Sequence, residues 1–175
     1  MTDQQPTDHQ PTDENSLRLS RFDDSLRSGV HLWTTLGYRR VSWGNGSSAV
    51  AWDATPEYGF PTSSGPVIQG GLVTALLDAA MGGACWTVLD PDQAFLTADL
   101  RVEFLRSTRP GTVTATGTVV RRTRRVVFCE AQLHDGDGLL LAASRCTQVV
   151  LPAEGRAGRY DEPKADGSPP DDARG

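Results

Sequence analysis

Lysine is almost missing from this chain of 175 residues: Lys164 is the sole one, so every cation of the central segment is an arginine. Histidine is scarce as well, with His31 and His134 isolated and His9 in a polar N-terminal stretch. No His/Cys/Asp cluster with metal-ligand spacing results, and no metal is expected. Cys85, Cys129 and Cys146 are odd in number and form no CxxC pair. Each lies in an apolar run and reads as a small buried hydrophobe. Positive charge is not in surplus: the formal net charge is −5, and residues 17–151 hold 12 acids against 13 arginines. A dedicated nucleic-acid binder should be strongly basic, so none is expected here. GxSxG, GxGxxG and GxxxxGK followed by Ser or Thr are all absent, which removes the serine-hydrolase elbow and the nucleotide-binding loops. No run reaches the about 20 strongly apolar residues of a membrane span. The first sixteen residues have neither a basic n-region nor an apolar h-region, so the expected setting is the cytoplasm.

What is present falls into three parts. Residues 1–16 carry four acids, no Lys or Arg, and QPTD twice; with so little apolar surface they read as a disordered acidic tail. Residues 152–175 are rich in Gly, Pro, Asp and Arg and read as a second disordered tail. Between them, residues 17–151 form one domain. Phe22, Leu26, Val30, Trp33 and Leu36 recur at helical spacing, with Asp23 or Asp24 to cap and Gly37 to stop, which predicts a short helix over about 23–36. Tyr38–Trp43 and Ser47–Asp53 are strand-like and joined by Gly44-Asn45-Gly46, a hairpin signal. Residues 54–69, with three prolines, read as an irregular loop. After Asp90-Pro91-Asp92, the residues Leu96, Ala98, Leu100, Val102 and Phe104 alternate with polar ones, as in a half-buried strand. Runs at 112–121, 126–134 and 139–151 follow, separated by short turns.

The loop at 54–69 leads into a segment of another kind. From Gly70 to Val88 the chain is apolar on all sides of a helical projection, which predicts a helix buried over most of its surface. Asp78 alone interrupts it. A carboxylate so placed needs a partner or a task, since unpaired burial costs several kcal/mol. Gly70-Gly71 at the start can be a plain tight turn, yet the first N–H groups of a helix lack intrahelical acceptors and attract negative charge. Sequential strands with short turns favour an antiparallel sheet, across which the long helix must lie.

The residues from Gly70 to Asp78, together with Thr97 to Gly111 in the form T-x-D-L-x-V-x-F-L-R-x-x-R-P-G, resemble the PaaI-type acyl-CoA thioesterases of the hotdog fold. The likeness covers about 22–151. It implies an α+β fold in which a five- to six-stranded antiparallel sheet wraps one long central helix, with a short N-terminal helix beside it. It implies hydrolysis of acyl-CoA thioesters, with coenzyme A entering only as part of the substrate and no separate cofactor. By the same likeness Asp78 is the general base or nucleophile, the Gly70 N–H is the oxyanion donor, and Thr97 touches the acid or the water. Where the family commonly has His-Gly-Gly this chain has Gln69-Gly70-Gly71, and Ser63 stands where an asparagine is frequent. Gln69, Gly71, Arg122, Arg124 and Arg125 are the expected contacts of the coenzyme A portion, although an arginine cluster at a hairpin is often only solvated. Trp52, Phe60, Trp86 and Phe95 could shape an aromatic acyl pocket or be plain core. A homodimer or homotetramer with active sites at the subunit interface is implied. The competing expectation is a non-catalytic acyl-CoA-binding protein, a ligand sensor or scaffold.

Overall fold

A computed structural model describes residues 32–153. Both polar ends, the start of the domain at residue 17 and most of the helix expected over 23–36 lie outside the described residues. What is described of that helix is α1, Leu32–Leu36, which buries Leu36 and stops as Gly37 takes φ 73°. Strands β1 (Arg39–Gly44) and β2 (Ser47–Ala54) form the expected hairpin. Its turn has positive φ at Asn45 (52°) and Gly46 (75°), the two central positions of the tight turn that matches strand twist.

The loop at 54–69 is more ordered than its prolines suggest. It contains a short 3-10 turn, Pro56–Tyr58, and a two-stranded ribbon of β3 (Gly59–Phe60) and β4 (Val67–Ile68). Arg109, distant in sequence, pins it: Nη1 donates to the carbonyls of Ser64 (3.0 Å) and Gly65 (2.9 Å), and Nη2 to Ser64 Oγ (2.7 Å). Five donors in a rigid fork suit arginine to such a task.

The long helix α2 (Gly70–Trp86) follows. Then come β5 (Gln93–Phe104), β6 (Gly111–Arg122), β7 (Val126–Asp135) and β8 (Leu140–Pro152), so that Pro152, placed above in the C-terminal tail, closes the last strand. The main sheet is antiparallel with six strands in the order β1-β2-β6-β7-β8-β5. Helix α2 lies across one face and buries Val73, Leu76, Leu77, Ala80, Met81, Ala84 and Cys85 with Val50, Trp52, Val113, Ala115, Val127 and Leu133 of the sheet. Trp52 is fully enclosed, edge-on to Tyr38 and tilted against Tyr58, and so belongs to the core. All three cysteines are buried free thiols, with Cys129 and Cys146 opposite each other on β7 and β8.

Helix and sheet meet backbone to backbone where α2 crosses β6. A Cβ on Gly117 of β6 would drive into the Ala80 carbonyl and the Met81 nitrogen of α2. Backbone cannot give way as a side-chain end can, so only glycine fits.

Strand β5 departs from the expected alternation. It begins at Gln93, before Leu96, and its pairing with β8 shifts between Thr97 and Asp99. The bulge at Ala98 changes which residues face the helix. Upstream, Phe95 packs on Trp86 with ring centroids 5.9 Å apart and Thr97 points at α2, while Leu96 is 53% exposed. Downstream, Leu100 and Val102 pack on the core, and the Phe104 ring lies against Gly70.

Gly117→Ala is expected to lower the unfolding free energy by about 2 kcal/mol or more, as overpacking against rigid neighbours does. Gly71→Ala meets open space and should cost well under about 1 kcal/mol. Chemical denaturation of both variants checks this; equal stabilities would show that the helix sits further from β6 than described.

Candidate functional site

The residues of α2 that turn away from the core form a stripe at Gly71, Ala75, Asp78 and Gly82, half-buried except for exposed Gly71. Asp78 lies at its middle. Its carboxylate is partly desolvated, and this burial holds its carboxyl above the ordinary carboxylate range. One hydrogen bond works in the opposite direction: Thr97 Oγ1 lies 3.0 Å from Asp78 Oδ1. The bulge at Ala98 is what turns Thr97 inward, so the geometry of the pair depends on an irregularity of β5.

A third side chain joins them. Gln148 on β8, entirely buried, places Oε1 3.0 Å from Thr97 Oγ1, and its Nε2 lies 3.2 Å from Cys146 Sγ. Sequence reasoning passed over Gln148, although a signal existed. On β8 the inward set reads Ala142, Ser144, Cys146, Gln148, and a glutamine in an inward register must find partners.

At the other end of the stripe, α2 begins at Gly70 with Gln69 as its N-cap, and no side chain caps it. Among the described residues no acceptor meets the Gly70 or Gly71 N–H. Gln69 is exposed and donates its own N–H to the Tyr58 carbonyl at 2.9 Å. Beside Gly70 runs a groove of about 460 Å³, lined by Phe60, Val67, Ile68, Val73, Phe104 and Leu105 among others. Phe60 is thus a wall of this groove, whereas Trp86 and Phe95 pair at the far end of α2.

The remaining expected residues are spread out. Ser63 is exposed in the turn between Thr62 and Gly65, and no hydrogen bond ties it to Gly70 or Asp78 among the described residues. Arg122 is taken up structurally: its guanidinium reaches the Val88 carbonyl, Asp90 Oδ2 (2.6 Å) and Gln93 Oε1 (2.9 Å), fastening the end of α2 to β6. Arg124 and Arg125 stand exposed at the β6–β7 turn; the Arg125 carbonyl accepts the Val150 N–H at 2.9 Å, and neither guanidinium has a partner among the described residues. No group of three His, Cys, Asp or Glu is gathered as a metal cradle, and no helix is long and apolar enough to cross a membrane, again among the described residues.

One long helix laid across a curved antiparallel sheet, with an acid at the middle of its open stripe, defines a hotdog-fold protein. Comparison with solved structures agrees. The PaaI protein of the phenylacetic acid degradation operon of Escherichia coli superposes with a TM-score of 0.67 at 19% identity, over 78% of this chain and 96% of that one. A thioesterase family protein of Silicibacter pomeroyi gives 0.68 at 22% identity, over 77% and 98%. Residues 65–142 match the family model of the thioesterase superfamily. The chain is thus similar to that superfamily over this stretch, and its fold is the hotdog fold of the solved neighbours. Among curated relatives, the medium/long-chain acyl-CoA thioesterase YigI of Salmonella typhimurium is 29% identical over 97 residues; the match spans 48% of this chain and 63% of the relative's length.

The carboxyl of Asp78 has a stability consequence. An acid whose folded-state value is raised binds its proton more tightly folded than unfolded, so stability declines as pH rises from the ordinary carboxylate range through the raised value. Asp78→Asn removes that cost. The variant is expected to melt higher than wild type at pH 7, with the gap closing as pH falls to about 4 and below. Melting curves across pH 3.5–8 check the sign; a variant less stable at pH 7 would mean that the Thr97 bond outweighs desolvation.

Proposed function

We propose that this protein hydrolyses acyl-CoA thioesters, with Asp78 as general base or nucleophile and the Gly70 N–H as oxyanion donor. The observation that carries the reading is the Asp78–Thr97 pair on the open stripe of α2, a half-desolvated acid held in place by a hydroxyl. A base in such surroundings titrates nearer neutrality than a solvated one, which favours proton abstraction from water. The free amides at Gly70 and Gly71 suit an oxygen that becomes negative in the transition state.

Acid and donor are eight residues apart on one helix, about 12 Å along its axis. One thioester carbonyl cannot meet both in a single copy, since a reacting atom must lie about 3 Å from each. Two copies with antiparallel α2 helices bring Gly70 of one to Asp78 of the other, so the proposed enzyme is a homodimer or a pair of dimers. Strand β5, the longer of the two edge strands of the sheet, offers twelve residues for pairing. The groove beside Gly70, with Phe60, Val67, Ile68, Val73, Phe104 and Leu105 on its walls and Arg106, Ser107 and Thr108 among them, suits an acyl chain, in keeping with the medium/long-chain activity named for the Salmonella relative. For the coenzyme A phosphates, Arg124 and Arg125 are the unoccupied cations of the β6–β7 turn, and Arg122 is committed to Asp90.

Asp78→Asn and Gly70→Pro test the two halves of the site. The first should lose two or more decades in kcat, about 3 kcal/mol or more, with far less change in KM. The second deletes the N–H at a position where proline is tolerated, and Gln69 already has ψ 126°, which a pre-proline residue favours. It should lose about 10²–10³ in kcat. Gly70→Ala keeps the donor; its Cβ would come 3.2 Å from the Phe104 ring, which is 55% exposed and free to swing, so its loss should be mild. Wild-type turnover by folded Asp78→Asn would remove Asp78 from the chemistry, whereas acyl-CoA binding without any turnover by the wild-type protein would sink the enzyme reading.

Replacing Arg124 and Arg125 together by Ala should raise KM several-fold for acyl-CoA and leave turnover of an acyl-N-acetylcysteamine, which lacks the phosphates, unaltered. Equal KM values on acyl-CoA for variant and wild type would remove these arginines from the site.

A further inference from the structure

The Thr97 hydroxyl has one proton and two oxygens within 3.0 Å, Asp78 Oδ1 and Gln148 Oε1. It cannot donate to both. With the Gln148 oxygen facing Thr97, the hydroxyl donates to the amide, and a second bond to Asp78 requires a proton on the carboxyl. That arrangement fits the acid form of Asp78. A primary amide keeps its outline when turned by half a rotation about Cγ–Cδ, and the contacts then reverse in sense. Gln148 Nε2–H donates to Thr97 Oγ1, Thr97 donates to the Asp78 carboxylate, and Gln148 Oε1 faces Cys146 Sγ at 3.2 Å. The Thr97 proton and one Gln148 amide proton then run in one direction, ending on a negative oxygen.

We infer that Gln148 is a positioning residue for Asp78: its amide N–H faces the Thr97 oxygen and commits the Thr97 proton to the Asp78 carboxylate. The inference rests on the reading of Asp78 as the reacting acid only for its effect on turnover; the link from Gln148 to the carboxyl stands on geometry. Gln148 is wholly buried and holds a polar group where an apolar one would cost nothing to bury. Contact with Cys129 and, second, burial keep the Cys146 thiol protonated, so Cys146 is neutral beside the amide and adds no charge to the chain. Hydrogen bonds in line strengthen one another, so a Thr97 hydroxyl that accepts from Gln148 donates more strongly to Asp78. The other groups packed around Asp78 do not compete. On β5 and β8 the groups at the carboxyl are Thr97, Gln148 and Cys146, and α2 itself holds no ionisable side chain besides Asp78 and Cys85. Cys85 is buried at the other side of Cys129.

The test is a ¹³C titration of the labelled Asp78 carboxyl in wild type, Gln148→Met, Thr97→Val and the double variant, with folding checked by circular dichroism. Gln148→Met keeps the volume and removes the donor. The Asp78 midpoint should rise by about half a pH unit in Gln148→Met, threefold in the ionisation constant. It should rise at least as much in Thr97→Val, and adding Gln148→Met to Thr97→Val should add nothing. The acid limb of kcat/KM should follow the same shifts with KM nearly constant. A purely structural Gln148 would move stability without these couplings. In the wild-type protein at neutral pH, nuclear Overhauser contacts should join the Gln148 amide protons to the Thr97 methyl; this measurement needs no variant to fold. Amide protons facing Cys146 instead, an unmoved midpoint in folded Gln148→Met, or the same shift with and without Thr97 would each overturn the inference. Full activity in Asp78→Asn would overturn the catalytic reading alone, and the titration would still decide the Gln148 linkage.

Discussion

The contact between the Ala80 carbonyl of α2 and Gly117 of β6 sets the depth at which the helix sits in the sheet. A backbone-to-backbone approach lets the strands curve around α2, and the same economy recurs one turn on, where Gly83 of the helix rests on Ser48 of β2. Large residues at these points would lift the helix and open the core. Seated deeply, α2 buries its Leu, Met and Cys side chains and leaves only a narrow stripe of small residues uncovered by its own sheet. Asp78 is on that stripe, at the boundary between core and exterior. Its partial desolvation is therefore a consequence of helix depth, not of a separate cavity.

Much of this is legible in the residues, and the gaps have physical causes. The Gly-Gly start, the unbroken apolar run and the single acid identify α2 because each breaks a different expectation of an ordinary surface helix. The Asn45-Gly46 turn is legible because its backbone needs positive φ at both positions. Strand β5 misleads because alternation counts residues, and a bulge adds one without a sequence mark. Ala98 looks inward-facing in the pattern, yet it is the extra residue, and Thr97 takes the helix-facing position. The ribbon at 59–68 is hidden for a different reason. Its order comes from Arg109, some forty positions later, whose guanidinium gathers the carbonyls of Ser64 and Gly65. Arg122 looks the same as Arg124 and Arg125 in the sequence, and only the approach of Asp90 and Gln93 distinguishes it.

The irregularity of β5 and the chemistry proposed for Asp78 are connected through one strand. β5 is one of the two edge strands of the sheet, and an edge of twelve residues is an invitation to pairing that proteins either block or use. The bulge at Ala98 lies in the middle of that edge and simultaneously turns Thr97 to Asp78. In a pair of copies joined along β5, assembly would fix the bulge, the bulge would fix Thr97, and Thr97 would fix the acid. The incomplete site of a single copy and the irregular edge are then two sides of one arrangement. A chain that reached its partner by another surface would leave Asp78 with a mobile Thr97 and no opposing Gly70 amide, and so without the means to hold a thioester carbonyl against its base.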